Sequence, residues 1–440
     1  MRAPLMRDPR AGGAVIVALY AYQGLVAGFA LTALPNHYAA LGATADQVGA
    51  HIATVGLPWI LQPLWGPVVD RFGGLAMGRR RFWVVAALAA SLLALARLLL
   101  VADEGPAGLP AISAVFLLHS ALAALTDTAT DAMVMDHVPP ARLGTANALT
   151  RVGFVTGTAA GAAIFAWALP AFGLHAAAAG VLAMGSLVLV LPLLVREEAD
   201  DAVLSLRRAP GRPASRGLLA LLADLGRDLR GGTAIGLLVF CFATDFAAAA
   251  FRVPLGVELI QGRGWSAESL SGFQAVAALL TGTAGALLIG WWTDRAGTGR
   301  ALAILLLLCG LAHAGAGVAL LAQDPRWAST AGAVALGLSA VMPALLFVAL
   351  APAVMRASLG PTAATRFALF MASLNMGDVA GSALGGRAAE WLGLPALGLA
   401  AAAVFLGLGL LSRVLSAGPG WSASVCDRAL RLLGRIRRPG

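Results

Sequence analysis

The chain has 440 residues, 59% of them hydrophobic and 12% charged, and a formal charge of +9. A soluble domain carries roughly 25% charged residues, so a chain this apolar cannot hide its nonpolar surface by folding in water. The positive charge is spread over loops and both ends, without interleaved aromatics or a binding motif; membrane topology and contact with anionic lipid account for it, and nucleic acid is not expected as a partner.

Twelve apolar runs have the length of about 20 residues that a helix needs to cross a bilayer core. The first six lie near 14–34, 48–67, 82–101, 110–131, 146–169 and 174–194. The first is too long for a signal-peptide core and should persist as a span. Residues 196–232 mix Glu197, Glu198, Asp200 and Asp201 with Arg207, Arg208, Arg212 and two prolines, the composition of a linker; 216–230 could lie on the membrane as an amphipathic helix. Six further runs follow near 233–254, 269–291, 300–321, 328–351, 366–386 and 394–415. The expected division is a six-helix bundle over 1–195, a cytoplasmic linker over 196–232, a second bundle over 233–416 and a basic, amphipathic cytoplasmic tail over 417–440.

Arginine placement orients the chain, because basic residues of short loops stay on the cytoplasmic side. Arg2, Arg7 and Arg10, the cluster Arg71, Arg79, Arg80 and Arg81, the linker, Arg295, Arg300 and the tail fall on one side, so both termini are expected in the cytoplasm. All 31 basic residues are arginine, a bias of coding that carries no mechanism. The three cysteines have no paired spacing and suggest neither a disulfide framework nor a metal site.

The two halves repeat one another. Gly66, Asp70, Arg71 and Gly73 recur 224 residues later as Gly290, Asp294, Arg295 and Gly297; Gly153, Gly157 and Gly161 recur as Gly377, Gly381 and Gly385; Arg142 recurs as Arg366. Glycines four apart line one helical face and admit a neighbouring backbone, a packing role. Three landmarks at one offset indicate a duplicated module, the construction of many membrane transporters.

Ionisable groups inside the spans are the strongest site signal, since each costs roughly 2.5–3.5 kcal/mol at a helix centre and is kept toward an interior or cavity. Asp245 falls mid-way along the seventh span and Asp378 mid-way along the eleventh beside Asn375, with Gln23 and His119 at a matching depth. These groups, with Arg252 two turns outward of Asp245, form the expected substrate and proton site. Arg252 is expected to meet an anionic substrate or to pair with Glu258. Asp127 and Asp131 share a face of the fourth span, and Arg151 falls at similar depth, which suggests a charge pair acting as a gate.

Gly66-Pro-Val-Val-Asp70-Arg71-Phe-Gly73 and Gly290-Trp-Trp-Thr-Asp294-Arg295-Ala-Gly297 resemble the loop signature of the major facilitator superfamily. The resemblance implies an all-α membrane protein of twelve spans in two pseudo-symmetric six-helix bundles, with Asp70, Arg71, Asp294 and Arg295 bonding helix ends as gate residues. Leu57-Pro58-Trp59, Gln62, Leu64-Trp65-Gly-Pro67, Gly78-Arg79-Arg80-Arg81-Phe-Trp83, Thr126-Asp127 through Asp131, and Ala364-Thr365-Arg366 are similar to the branch of muropeptide permeases, acetyl-coenzyme A transporters and single-unit siderophore permeases. Gln62 stands where that branch commonly has lysine. The fifth span lacks the proline of the superfamily's antiporter signature, which tilts the reading toward uptake.

The implied function is that of a monomeric secondary transporter of the bacterial cytoplasmic membrane. It would take up a bulky, polar, anionic small-molecule solute such as a ferric siderophore or muropeptide, with the proton gradient as driving force and no cofactor. The short stretch after the twelfth span favours the siderophore. A proton-driven exporter or lipid flippase of the same fold is the alternative. No nucleophile elbow, metal spacing, P-loop or dinucleotide fingerprint points to an enzyme.

Overall fold

The computed structural model describes residues 5–71, 75–139, 142–207, 232–322, 324–358 and 363–416. The expected surface helix at 216–230, the tail at 417–440 and Gly73 lie outside these residues, as do the side chains of Asp70, Arg71 and Arg366. Among the described residues the architecture is all-helical, with one isolated parallel bridge between Leu5 and Arg196.

Eleven apolar helical runs long enough to cross a membrane are present among the described residues. The run Thr145–Leu194 contains two of the expected spans, because at Gly173 the backbone turns to φ 80° and ψ 174°. Only glycine enters that region without a Cβ penalty. The helices are therefore α1 Pro9–Ala40, α2 Ala45–Val69, α3 Arg81–Leu99, α4 Gly105–His137, α5 143–172 and α6 174–194. The second half supplies α7 Gly232–Gln261, α8 Ala267–Ala296, α9 Thr298–Ala319, α10 Pro325–Ser358, α11 Ala363–Leu392 and α12 Leu394–Ser416.

Local chemistry sets the ends and the bends. Asp8 caps α1 by accepting the Arg10 amide, and Thr44 with Gln47 forms a reciprocal capping box at the start of α2. α1 widens into a π-helical turn at Phe29–Ala33, where the Ala30 carbonyl accepts a bond from His51 Nε2 of α2 at 2.8 Å. Pro58 and the 3-10 turn Gln62–Leu64 bend α2.

The glycine stripes bring paired helices together in both halves. A Cβ on Gly153, Gly157 or Gly161 of α5 would meet the backbone of α1 at Val17, Ala21 and Leu25. On Gly377, Gly381 or Gly385 of α11 it would meet the backbone of α7 at Phe242, Phe246 and Ala250. Glycines four apart thus face carbonyls four apart, twice. The expected packing role of the stripes is what the geometry displays.

Compactness divides the chain into one unit of Met1–Gly217 with Gly256–Thr283 and a second of Leu218–Leu255 with Ala284–Gly440. Side-chain bonds to α1 explain why the end of α7 and the start of α8 join the first unit. Asn36 Nδ2 donates to Ser271 Oγ and Gln274 Oε1, both at 2.8 Å, and Gln261 Nε2 donates to the Ala39 and Ala43 carbonyls at 2.8 and 2.9 Å.

The arginine-rich end of the first unit is closed by two helix termini that cap each other. The Glu197 carboxylate, just after α6, accepts the amides of Arg79, Arg80 and Arg81 at the start of α3, the first two at 2.7 and 2.6 Å. In return the fully buried Arg81 guanidinium donates to the Pro192 and Leu193 carbonyls at the end of α6, and to those of Met77 and Val203. An acid at a helix N-terminus and a cation at a helix C-terminus both complement the helix dipole. Gly78, at φ 115°, leaves room for the carboxylates of Glu197 and Asp201. Arg80 Nε adds a 2.9 Å ion pair to Asp136.

Candidate functional site

The six residues expected at the substrate site divide between the two units. Asp245, Arg252, Asn375 and Asp378 lie in the second; Gln23 and His119 lie in the first.

In the second unit, Arg252 Nη2 of α7 donates to Asp378 Oδ1 of α11 at 2.7 Å. The side chains are 47% and 37% exposed, so the pair is open rather than sealed. Asp245, two turns along α7 on the same face, lies within electrostatic reach of both partners. The glycine stripe positions the three groups, because Gly377 and Gly381, which flank Asp378 on α11, sit on the backbone at Phe242 and Phe246, which flank Asp245 on α7. Asn375 lies one turn before Asp378 on the same helix. One expectation for Arg252 is corrected. It is paired, and its partner is Asp378; Glu258 instead bonds Arg263 at 3.3 Å. Glu258 is six residues beyond Arg252, about 120° around the helix, which takes it off the shared face.

In the first unit, the buried Asp127 and the exposed Asp131 of α4 meet polar side chains of α1 and α2. Tyr20 Oη donates to Asp131 Oδ1, and Gln62 Nε2 donates to Asp127 Oδ2 at 2.6 Å. Gln23 and Tyr20 are also within hydrogen-bonding reach of Asp127. The Arg151 side chain is exposed. His119 bonds Ser91 Oγ of α3 through Nδ1 at 2.9 Å. A cavity of about 20 Å³ lies beside these groups, lined by Tyr20, Tyr22, Gln23, Ser91, His119 and Thr130 among others. The buried Tyr22 hydroxyl makes no hydrogen bond.

Of the second loop motif, Asp294 and Arg295 are exposed, and Arg295 lies over the Trp291 ring at 4.1 Å from its centroid, a cation–π contact. No group of three or more His, Cys, Asp or Glu side chains suited to a metal occurs among the described residues.

Sequence reasoning missed Tyr20, Tyr22 and Ser91 because they are uncharged. One signal was present: all three tyrosines of the chain, Tyr20, Tyr22 and Tyr38, fall on α1, and Tyr20 shares its face with Gln23.

Residues 16–358 match the family model described as the Major Facilitator Superfamily. The chain belongs to this superfamily. Solved structures agree on the fold. A POT family transporter in complex with a thioalcohol-conjugated peptide aligns with a TM-score of 0.66 at 14% identity, over 94% of this chain and 98% of its own. The nucleoside transporter NupG aligns with a TM-score of 0.67 at 12% identity, over 93% and 99%. A POT family transporter in complex with 5-aminolevulinic acid aligns with a TM-score of 0.66 at 13% identity, over 94% and 98%. The protein is accordingly a membrane transporter of the major facilitator type.

Proposed function

We propose that the chain is a secondary transporter of a bacterial cytoplasmic membrane, coupling uptake of a bulky, polar, anionic solute such as a ferric siderophore or muropeptide to proton entry. The observation that carries this reading is the open Arg252–Asp378 pair beside Asp245. A carboxylate or catecholate oxygen can take over the guanidinium fork of Arg252 with charge-assisted bonds. Displacing Asp378 leaves it and Asp245 as neighbouring acids without their cation inside a span, an arrangement relieved by taking up a proton. Solute binding and proton binding then favour each other, which is what a symporter requires. A relative of the same fold holds a peptide conjugate, so the fold accepts a solute of that size. Both termini are placed in the cytoplasm by the arginine asymmetry.

The test is accumulation of radiolabelled ferric siderophores and muropeptides in proteoliposomes under an imposed proton gradient. Accumulation should collapse with a protonophore, fall with Arg252→Lys, which keeps the charge and loses the fork, and fall further with Arg252→Ala. Equal accumulation by all three proteins would remove Arg252 from the substrate site. Asp245→Asn should preserve expression while uncoupling uptake from the gradient.

A further inference from the structure

Two helices of the second repeat change units along their length. The division falls at Gly256 within α7 and at Thr283 within α8, so the hairpin of residues 256–283 belongs with the first unit. Both crossings coincide with a break in regular helix. Pro254 stands inside α7, where it has no N–H to give to the Ala250 carbonyl and its ring crowds that carbonyl. In α8 the residues Thr281–Gly285 widen into a π-helical turn, and the hydroxyls of Thr281 and Thr283 donate back to the Ala277 and Leu279 carbonyls. Prolines, π-turns and hydroxyls bonded back onto the preceding turn are the physical causes of helix bends.

The first repeat is broken at the same register by the opposite device. At the repeat offset Pro254 corresponds to Ala30, inside the π-helical turn Phe29–Ala33 of α1, and the π-turn of α8 corresponds to residues 57–61 of α2, which contain Pro58. A proline in one copy answers a π-turn in the other, twice, so the bend belongs to the duplicated module and survives a change in its cause. In the second repeat the contacts on either side of the breaks hold different partners. The glycine stripe of α11 sits on Phe242, Phe246 and Ala250, all before Pro254. Beyond Gly256, Gln261 donates to the Ala39 and Ala43 carbonyls at the end of α1, and Ser271 and Gln274 accept from Asn36. A Cβ on Gly282 would lie 2.7 Å from the Val155 side chain of α5.

We infer that residues 256–283 form a strap fixed to the first unit, and that α7 and α8 flex at Pro254–Gly256 and Thr281–Gly285 when the transporter changes conformation. The moving boundary then runs through two helices instead of following the six-plus-six division of the sequence. The chemistry of the strap suits a fixed joint. Its bonds to α1 come from the amides of Gln261, Asn36 and Gln274 and the hydroxyl of Ser271, groups that carry no charge at any physiological pH. Detaching the strap would leave those amides and two carbonyls without their partners, a cost that bending at the breaks avoids. Arg252 stands two residues before Pro254, so flexing there turns its guanidinium relative to the strap.

Pulsed electron paramagnetic resonance on the full chain in nanodiscs tests the strap without a solute, and so independently of what is transported. Cys241 and Cys309 are buried, and Cys426→Ser removes the remaining thiol. Spin labels at Ala50→Cys on α2 and Glu268→Cys on the strap, both exposed positions, should give one narrow distance at acid and alkaline pH. Labels at Glu268→Cys and at Leu392→Cys, exposed at the end of α11, should give two distances. Pro254→Ala combined with Thr281→Val and Thr283→Val should stiffen both helices and reduce the second pair to one distance, with the first pair unchanged. Asn36→Ala with Gln261→Ala should broaden the first pair by freeing the strap. Two distances for the first pair in the otherwise unaltered chain would show the strap leaving α1 and overturn the proposal. A single distance for the second pair, or two that persist in the stiffened chain, would overturn the hinges, and a first pair indifferent to Asn36→Ala with Gln261→Ala would overturn the attachment. Should the stiffened chain fail to fold, the two pairs in the unaltered background decide.

Discussion

The two repeats of this transporter share a scaffold and differ in chemistry. In each, a glycine stripe at four-residue spacing seats one helix on the backbone of another, α5 on α1 and α11 on α7. Upon that common frame the first unit bonds Asp127 to Gln62 and Asp131 to Tyr20, and the second leaves an Arg–Asp pair open. None of the acids has an acidic counterpart at the repeat offset. Asp245 corresponds to Ala21, Asp378 to Phe154, and Asp127 to Ala351. Duplication therefore accounts for packing, while binding chemistry has arisen separately in each copy. A solute that must be bound and released suits an accessible ion pair.

The largest effect is expected outside both sites, where the first unit has a clamp. Arg81→Ala removes the cation that caps α6 and neighbours the buried Glu197 carboxylate. Breaking such a buried charged arrangement costs roughly 3–5 kcal/mol, to be read as lost thermal stability of the purified protein in detergent. Retained stability would mean that Glu197 and the three amides suffice alone.

Next come the stripes. Gly157→Ala and Gly381→Ala each drive a methyl group into the facing backbone, an overpacking cost of roughly 1–3 kcal/mol. The two variants should lose similar thermal stability if the copies are mechanically equivalent. A loss confined to one would break the equivalence.

The smallest stability effect is expected at the open pair. A half-exposed ion pair contributes about 0–1 kcal/mol, so Arg252→Ala should unfold close to the wild-type temperature although its transport is lost. A strongly destabilised Arg252→Ala would make the pair structural and weaken its assignment to the solute.

Most of the fold was readable in the sequence because membrane spans obey a length and composition rule, and the glycine stripes because close backbone approach admits no other residue. The fifth and sixth runs, counted as separate spans, are divided in the structure by the turn at Gly173. The site was readable in part. Asp245 and Arg252 could be placed on one face by counting along a single helix. Asp378 could not be paired with Arg252 in that way, because the bond joins α7 to α11 and depends on the packing of those helices. The gate expected from Asp127, Asp131 and Arg151 rested on matching depth, and depth says nothing about rotation around the axis, so the bonds of Asp127 to Gln62 and of Asp131 to Tyr20 could not be read from it. The Arg81–Glu197 clamp was hidden for another reason, since a triplet of arginines near a membrane reads first as a topology signal.

The central claim is that the Arg252–Asp378 pair binds the solute while Asp245 beside it takes part in proton uptake. Substrate exchange in proteoliposomes needs binding and reorientation but no net proton movement, whereas uphill accumulation needs both. Measured side by side with a radiolabelled anionic substrate, Arg252→Ala should lose exchange and accumulation together, while Asp245→Asn should retain exchange and lose accumulation. Full exchange by Arg252→Ala, or full accumulation by Asp245→Asn, would contradict the claim.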